Sequence, residues 1–225
     1  MQSGIKLSPS TLNLFLECPK CFWLELEGGV HRPRGIFPSL PGGMDGVIKT
    51  YFDKYRAVNK VPPEIEGKTE GVLMADQDLL NKWRSWRTGL VYRDPENGAA
   101  LSGAIDDLMV DPKKQLYIPF DYKTRGYALK ADSSSFYQNQ LNCYGLLLQE
   151  NGLPIAGFGY LCYYIPKEVS EGGMVEFDVI PKKMDIDPEA ARKVFRDAVK
   201  LLNGAMPKSH SNCEYCMWAD DFIND

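Results

Sequence analysis

The chain has 225 residues, 44% of them hydrophobic, enough to bury a proper core in one large domain or two small ones. A formal net charge of -4 excludes a uniformly basic nucleic-acid coat, though not a local cluster of Lys and Arg. No apolar run approaches the roughly 20 residues that span a bilayer, and the start MQSGIKLSPSTLNLF lacks the charged-then-apolar form of a signal peptide, so a soluble cytoplasmic chain is expected.

LSPSTLNLFLECPKCFWLEL predicts a helix with Ser8 as N-cap, Pro9 at the first helical position, and Leu12, Phe15 and Leu16 on one face. EGGVHRPRGIFPSLPGG reads as a long loop, after which MDGVIKTYFDKYRAVN recovers helical periodicity through Val47, Ile48, Tyr51, Phe52 and Tyr55. A third helix is expected around DQDLLNKWRSWR. Here Lys82, Arg84, Arg87 and Arg93 interleave with Trp83, Trp86 and Tyr92, which makes Arg84, Arg87, Trp83 and Trp86 candidates for phosphate contact and base stacking. The competing interpretation is that the two tryptophans, three apart, face the core while the arginines are solvated.

From residue 90 the texture changes. LVYRD, AALSGAIDDLMVDP and QLYIPFDYKT read as three strands joined by hairpin-like turns. SSSFYQNQLNCYGLLLQENG predicts a serine-capped helix closing at Gly152, with Phe136, Gln140, Cys143, Tyr144 and Leu147 near one face. IAGFGYLCYYIP and GMVEFDVIP predict two further strands, and DPEAARKVFRDAVKLLNG a helix capped by Asp187 before Pro188. The simplest organisation is a single domain over 1–225. It has a helical part to about residue 89, a sheet-and-helix part from about 90 to 204, and a cysteine-containing tail over 205–225.

Two aspartates stand where a strand pattern wants apolar residues. Asp106 follows Ala104 and Ile105, and Asp121 follows Leu116 to Phe120; a carboxylate near the end of a buried strand is costly unless something pairs with it. On neighbouring strand ends, with Lys123 on the same side of the pleat as Asp121, they have the composition of a Mg²⁺ site, because that ion takes oxygen ligands and borrows others from phosphate and water. Asp107, adjacent to Asp106, is expected on the opposite face.

In order, Gly103 to Asp106, Asp121 to Lys123 and Gln140 to Tyr144 resemble the motifs of the PD-(D/E)XK nuclease superfamily, in particular its RecB-like branch with AddB and the CRISPR-associated exonucleases. The resemblance implies an α/β, restriction-endonuclease-like core with a central mixed β-sheet flanked by helices. It implies that Asp106 and Asp121 ligate Mg²⁺ or Mn²⁺ with help from the carbonyl of Tyr122, that Lys123 positions the attacking water, and that Gln140 and Tyr144 shape the nucleic-acid side. DNA is then the substrate, cut by an exonuclease in repair, recombination or CRISPR-type processing. With no P-loop in the chain, unwinding falls to a helicase or a CRISPR-adaptation partner. The branch supplies a further His or Glu ligand from an earlier helix. Asp45 stands there instead, as a substitute ligand or as the N-cap of that helix, and His31 is a less favoured stand-in. That departure keeps open an alternative, a nucleic-acid-binding or scaffold subunit with a degraded site.

Four of the six cysteines form two Cys-x-x-Cys pairs, Cys18 with Cys21 and Cys213 with Cys216, a strong metal signal that would join the N- and C-terminal segments. Spacing alone favours Zn²⁺, whereas the resemblance implies a [4Fe-4S] cluster, although the branch's usual division is one and three. Cys143 and Cys162 fall in apolar patterns and are expected in the core.

Overall fold

The computed structural model describes residues 4–33, 35, 39–130 and 132–223. Ser8 caps helix α1 (Pro9–Glu17): its hydroxyl accepts the Thr11 N–H while the Thr11 hydroxyl accepts the Ser8 N–H. The single helix expected through residue 26 is two. Cys18 is extended because the following proline disfavours helical backbone before it, and α2 (Pro19–Leu26) starts afresh. Helix α3 (Ser39–Arg56) begins earlier than expected and runs through Pro41, Gly42 and Gly43, so Asp45 lies inside it and is not its N-cap. Asp76 caps α4 (Gln77–Arg84) by accepting the Leu79 N–H.

The second expected strand divides in two, with Ala104 to Asp106 forming the break. On one side of it a three-stranded sheet has the order β1 (Lys6–Leu7), β4 (Ala100–Gly103), β3 (Leu90–Arg93). On the other a five-stranded sheet has the order β2 (Val72–Leu73), β5 (Asp107–Asp111), β6 (Leu116–Thr124), β7 (Phe158–Val169), β8 (Val175–Asp185). The two-residue strands β1 and β2 are too short to show a period of two and had no sequence signal. β5 and β6 form an antiparallel hairpin, and β6 and β7 are parallel, joined by a crossover that contains helix α5 (Gln138–Glu150). Gly152 closes that helix at φ +77°, a conformation side chains resist. Asp187 caps α6 (Pro188–Leu202), and the tail holds an unforeseen helix, α7 (Glu214–Ile223).

The sheet is mixed and covered on both faces. Leu161 and Tyr163 of β7 share a core with Leu147 of α5 and Phe195 of α6. Phe120 and Tyr122 of β6 pack with Ile48 and Phe52 of α3 in another. Strand alternation therefore directs Asp121 and Lys123 towards the α5 side and Phe120 and Tyr122 towards α3. Cys143 and Cys162 are buried, as expected. No helix among the described residues is long and apolar enough to cross a membrane.

Candidate metal and nucleic-acid site

Asp107 pairs with Phe120 at the end of β5, so Asp106, one step beyond, faces Asp121 across the strands. Asp121 is not at a strand end, as expected, but inside β6, which continues to Thr124 because β7 pairs with it that far. Its carboxylate is fully buried. Oδ1 accepts from Gln140 Nε2 at 3.2 Å and from the Tyr144 hydroxyl at 3.4 Å. Lys123 Nζ lies 2.5 Å from Oδ2, an ion pair at contact distance, and no other group among the described residues donates to that oxygen. Lys123 is steadied by donating to Gln140 Oε1 at 3.1 Å and by lying over the Tyr137 ring. Burial raises the Asp121 pKa to about 7, Lys123 opposing and Asp106 reinforcing the shift. Burial and then the Asp121 charge keep the Tyr144 phenol protonated.

Gln140 and Tyr144, one helical turn apart on α5, meet each other at 2.7 Å and Asp121 together. All three motifs thus converge on one place. Tyr122 sends its ring to the opposite face, which leaves only its main chain available on the acidic side.

Asp45 also reaches the site, though indirectly. Lys49, one turn further along α3, places its ammonium 2.7 Å from Asp45 Oδ2 and 2.8 Å from Asp106 Oδ1. Burial works against that charge, but Asp106 and Asp45 raise the Lys49 pKa above its ordinary value. Sequence reasoning missed Lys49; its spacing of four from Asp45 was the available signal. His31 lies elsewhere, lining a cavity beside Cys21 and Cys216.

Asp107 does face the other way, and its surroundings correct the proposed role of Arg84. The Asp107 carboxylate is fully buried and receives Arg56 Nη2 at 2.6 and 2.7 Å, Arg84 Nη2 at 3.0 Å and the Tyr122 hydroxyl at 2.5 Å. Arg84 also donates from Nε to the Asp106 carbonyl and from Nη1 to Asp53. It is an internal ion-pair residue, each of its three nitrogens already engaged inside the protein. Trp83, 9% exposed, is a core side chain rather than a stacking platform, because α4 turns it inward against the main core. Trp86 lies beyond the helix end, 74% exposed, with the Arg87 guanidinium 4.5 Å over its ring. Together with Ser102, Gly103, Gln140 and Tyr144 it lines a cleft of about 330 Å³.

At the other end of the fold the four cysteines of α1–α2 and α7 are all buried, with their sulfurs within 4.8 Å of one another. Cys18 and Cys216 are 3.8 Å apart, Cys21 and Cys213 3.6 Å, Cys21 and Cys216 3.5 Å. Arg32, paired with Glu17, approaches Cys213 Sγ at 3.7 Å, a cation next to a set of would-be thiolates. Four convergent sulfurs could hold a soft metal ion, and Asp121 and Asp106 bring two carboxylate groups of the kind that hard divalent ions take close to each other.

No curated protein matches the chain. A solved structure described as "Crystal structure of SSO0001" is similar at a TM-score of 0.49 and 14% identity, over 98% of this chain and 87% of that one. The family model described as the PD-(D/E)XK nuclease superfamily matches residues 34–220, a span that takes in the acidic pair, Lys123 and the Gln140–Tyr144 turn. The chain belongs to the PD-(D/E)XK nuclease superfamily, whose members are generally nucleases that use divalent metals.

Proposed function

We propose that this chain is a Mg²⁺- or Mn²⁺-dependent nuclease of the RecB-like branch that removes nucleotides from DNA ends. The observation that carries the reading is the meeting of Asp106, Asp121 and Lys123 on one side of the sheet, backed by Gln140 and Tyr144. A divalent ion bound there supplies charge neutralisation at the phosphate and a more acidic water. Asp106 and Asp121 would be its carboxylate ligands, with the Tyr122 carbonyl and Asp45 as further oxygens, and the ion would share Asp121 Oδ2 with the neighbouring Lys123 ammonium. Gln140 and Tyr144 engage Oδ1, so Oδ2, which faces Lys123, is the oxygen open to an ion. Lys123, anchored by Gln140, orients the attacking water, and exposed Trp86 and Arg87 receive the strand at the cleft.

The test is a digestion of single- and double-stranded oligonucleotides labelled at either end, with Mg²⁺, Mn²⁺ or chelator. Stepwise shortening that requires the metal and vanishes in Asp121→Ala is expected. Intact substrate under every condition, with Mn²⁺ still bound, would favour the degraded-site alternative that Asp45 suggests.

For the cysteine cluster we propose a single Zn²⁺ in place of the [4Fe-4S] cluster that the resemblance implied. Three of the six sulfur separations, 3.5, 3.6 and 3.8 Å, are near the edge of about 3.8 Å of a tetrahedron with Zn–S bonds of about 2.3 Å, and all six lie within 4.8 Å. A cubane cluster seats each thiolate on a different iron and needs the sulfurs farther apart.

A further inference from the structure

We propose that Lys49 is a displaceable internal cation of the acidic site, whose ammonium holds the metal-free carboxylates together and must leave Asp106 for a divalent ion to enter. This rests on the metal-site reading above and concerns a residue which that reading does not use.

Lys49 Nζ bridges Asp45 Oδ2 and Asp106 Oδ1 at 2.7 and 2.8 Å, the two carboxylates that α3 and the β4–β5 break offer to the ion. Both contacts are charge-assisted and partly shielded, the Lys49 side chain being 19% exposed. Three carboxyl groups, Asp45, Asp106 and Asp121, face two ammonium groups, Lys49 and Lys123. The set is therefore already close to neutral. A divalent ion seated on Asp106 beside an unmoved ammonium would meet a like charge at contact distance, which the site has no further anion to offset. The stem of Lys49 is long and flexible and its side chain is partly exposed, so withdrawal of the ammonium needs only side-chain rotation. Lys123 also contacts a proposed ligand, Asp121 Oδ2 at 2.5 Å, but Gln140 and the Tyr137 ring anchor it, so of the two ammonium groups Lys49 is the one free to withdraw. The two lysines thus divide the labour, one held in place and one exchanged for metal.

Competition of this kind weakens metal binding by the worth of the contacts that are surrendered. Removing the ammonium should tighten Mn²⁺ binding roughly tenfold or more, the equivalent of one hydrogen bond to a charged group. Calorimetric Mn²⁺ titration of the full chain tests this with wild type, Asp121→Ala, Lys49→Met and Lys54→Met, the last being an exposed lysine of the same helix. Loss of binding in Asp121→Ala, tightening in Lys49→Met and wild-type affinity in Lys54→Met are the expected results. Equal or weaker binding by Lys49→Met overturns the proposal, and so does a Lys54→Met variant that tightens just as much, since the effect is then one of net charge. Wild-type binding by Asp121→Ala would remove the metal-site reading itself, and this inference with it. Because Lys49→Met leaves two carboxylates unpaired and risks misfolding, a second measurement uses the unaltered chain. The side-chain ammonium resonance of Lys49, assigned through Lys49→Arg, should shift on saturation with Mg²⁺ while that of Lys54 does not. A Lys49 resonance that stays in place at saturation overturns the proposal.

Discussion

Asp106 and Asp107 are adjacent in the chain and serve opposite faces of the sheet. Asp106 meets Lys49 and lies across from Asp121 on the acidic side, whereas Asp107 is sealed among Arg56, Arg84 and Tyr122 on the other. The second of them is architectural, buried in an ion-pair network. The architectural one also braces the site, because Arg84 ties Asp107 to the main-chain carbonyl of Asp106.

Asp107→Asn should be among the most damaging single changes to stability. It preserves shape but leaves Arg56 and Arg84 with an uncompensated buried charge, at a cost of about 3–5 kcal/mol. Urea unfolding monitored by circular dichroism measures it, and a loss under about 1 kcal/mol would contradict the buried network.

Lys123→Ala should separate rate from binding. Its ammonium touches Asp121 but is not a ligand, so Mn²⁺ binding persists while single-turnover cleavage falls roughly 100-fold or more. Asp106→Ala should lose both. A Lys123→Ala enzyme with wild-type rate would remove the lysine from the reaction.

The aromatic-basic segment divides into two classes of effect. Trp86→Ala with Arg87→Ala should weaken binding of single-stranded DNA and lower its log-log salt slope by about one, the share of a single phosphate contact. Arg84→Ala should instead lower stability, since Asp53 and Asp107 lose a partner, and leave the slope as it was. Fluorescence anisotropy at a series of salt concentrations distinguishes the two.

The cysteine cluster should contain about one equivalent of zinc as isolated. Its ligands come from both ends of the chain, so removal of the metal by a strong chelator, or Cys213→Ser, should loosen α1, α2 and α7 together, as faster amide exchange there would report. Iron in place of zinc, with absorbance at about 400 nm, would rule out the single-ion assignment.

Asp94 gives the fold an acid-labile tie. Burial opposes its ionised form, but Arg196 of α6 and the Glu96 N–H outweigh that and hold its pKa below the usual carboxylate value. A depressed folded pKa means that the unfolded chain binds the proton more readily. The stabilisation is then complete above the unfolded value of about 3.9 and is lost as the pH falls through the folded one. Asp94→Asn should be less stable than wild type at pH 7, with the gap narrowing below about pH 4 in thermal melts.

Much of this was legible along the chain because the relevant patterns are local. Ser8–Pro9 and Asp187–Pro188 mark helix starts through caps that involve only the next few residues. Asp121 and Lys123 share a face because strand side chains alternate, and Gln140 and Tyr144 share one because a helix turns every 3.6 residues. The position of Asp107 opposite Asp106 followed from the same rule. Where local rules competed, boundaries shifted: Pro19 divided the first helix, and the break at Ala104 to Asp106 sent β4 and β5 to different sheets.

Charge roles were decided only by the tertiary structure. Arg84 and Arg87 look alike within KWRSWR, yet one is spent on Asp53, Asp107 and the Asp106 carbonyl while the other lies on Trp86 at the surface. Trp83 and Trp86 diverge in the same way because α4 ends between them. Lys49 was invisible until α3 packed beside the β4–β5 break, and the two Cys-x-x-Cys pairs became one cluster only when the fold brought their sulfurs within 4.8 Å of one another. Periodicity places a side chain on one side of its own element. What an ion or a thiol does there depends on distance to partners far away in the chain and on exclusion of water, and only the assembled fold determines both.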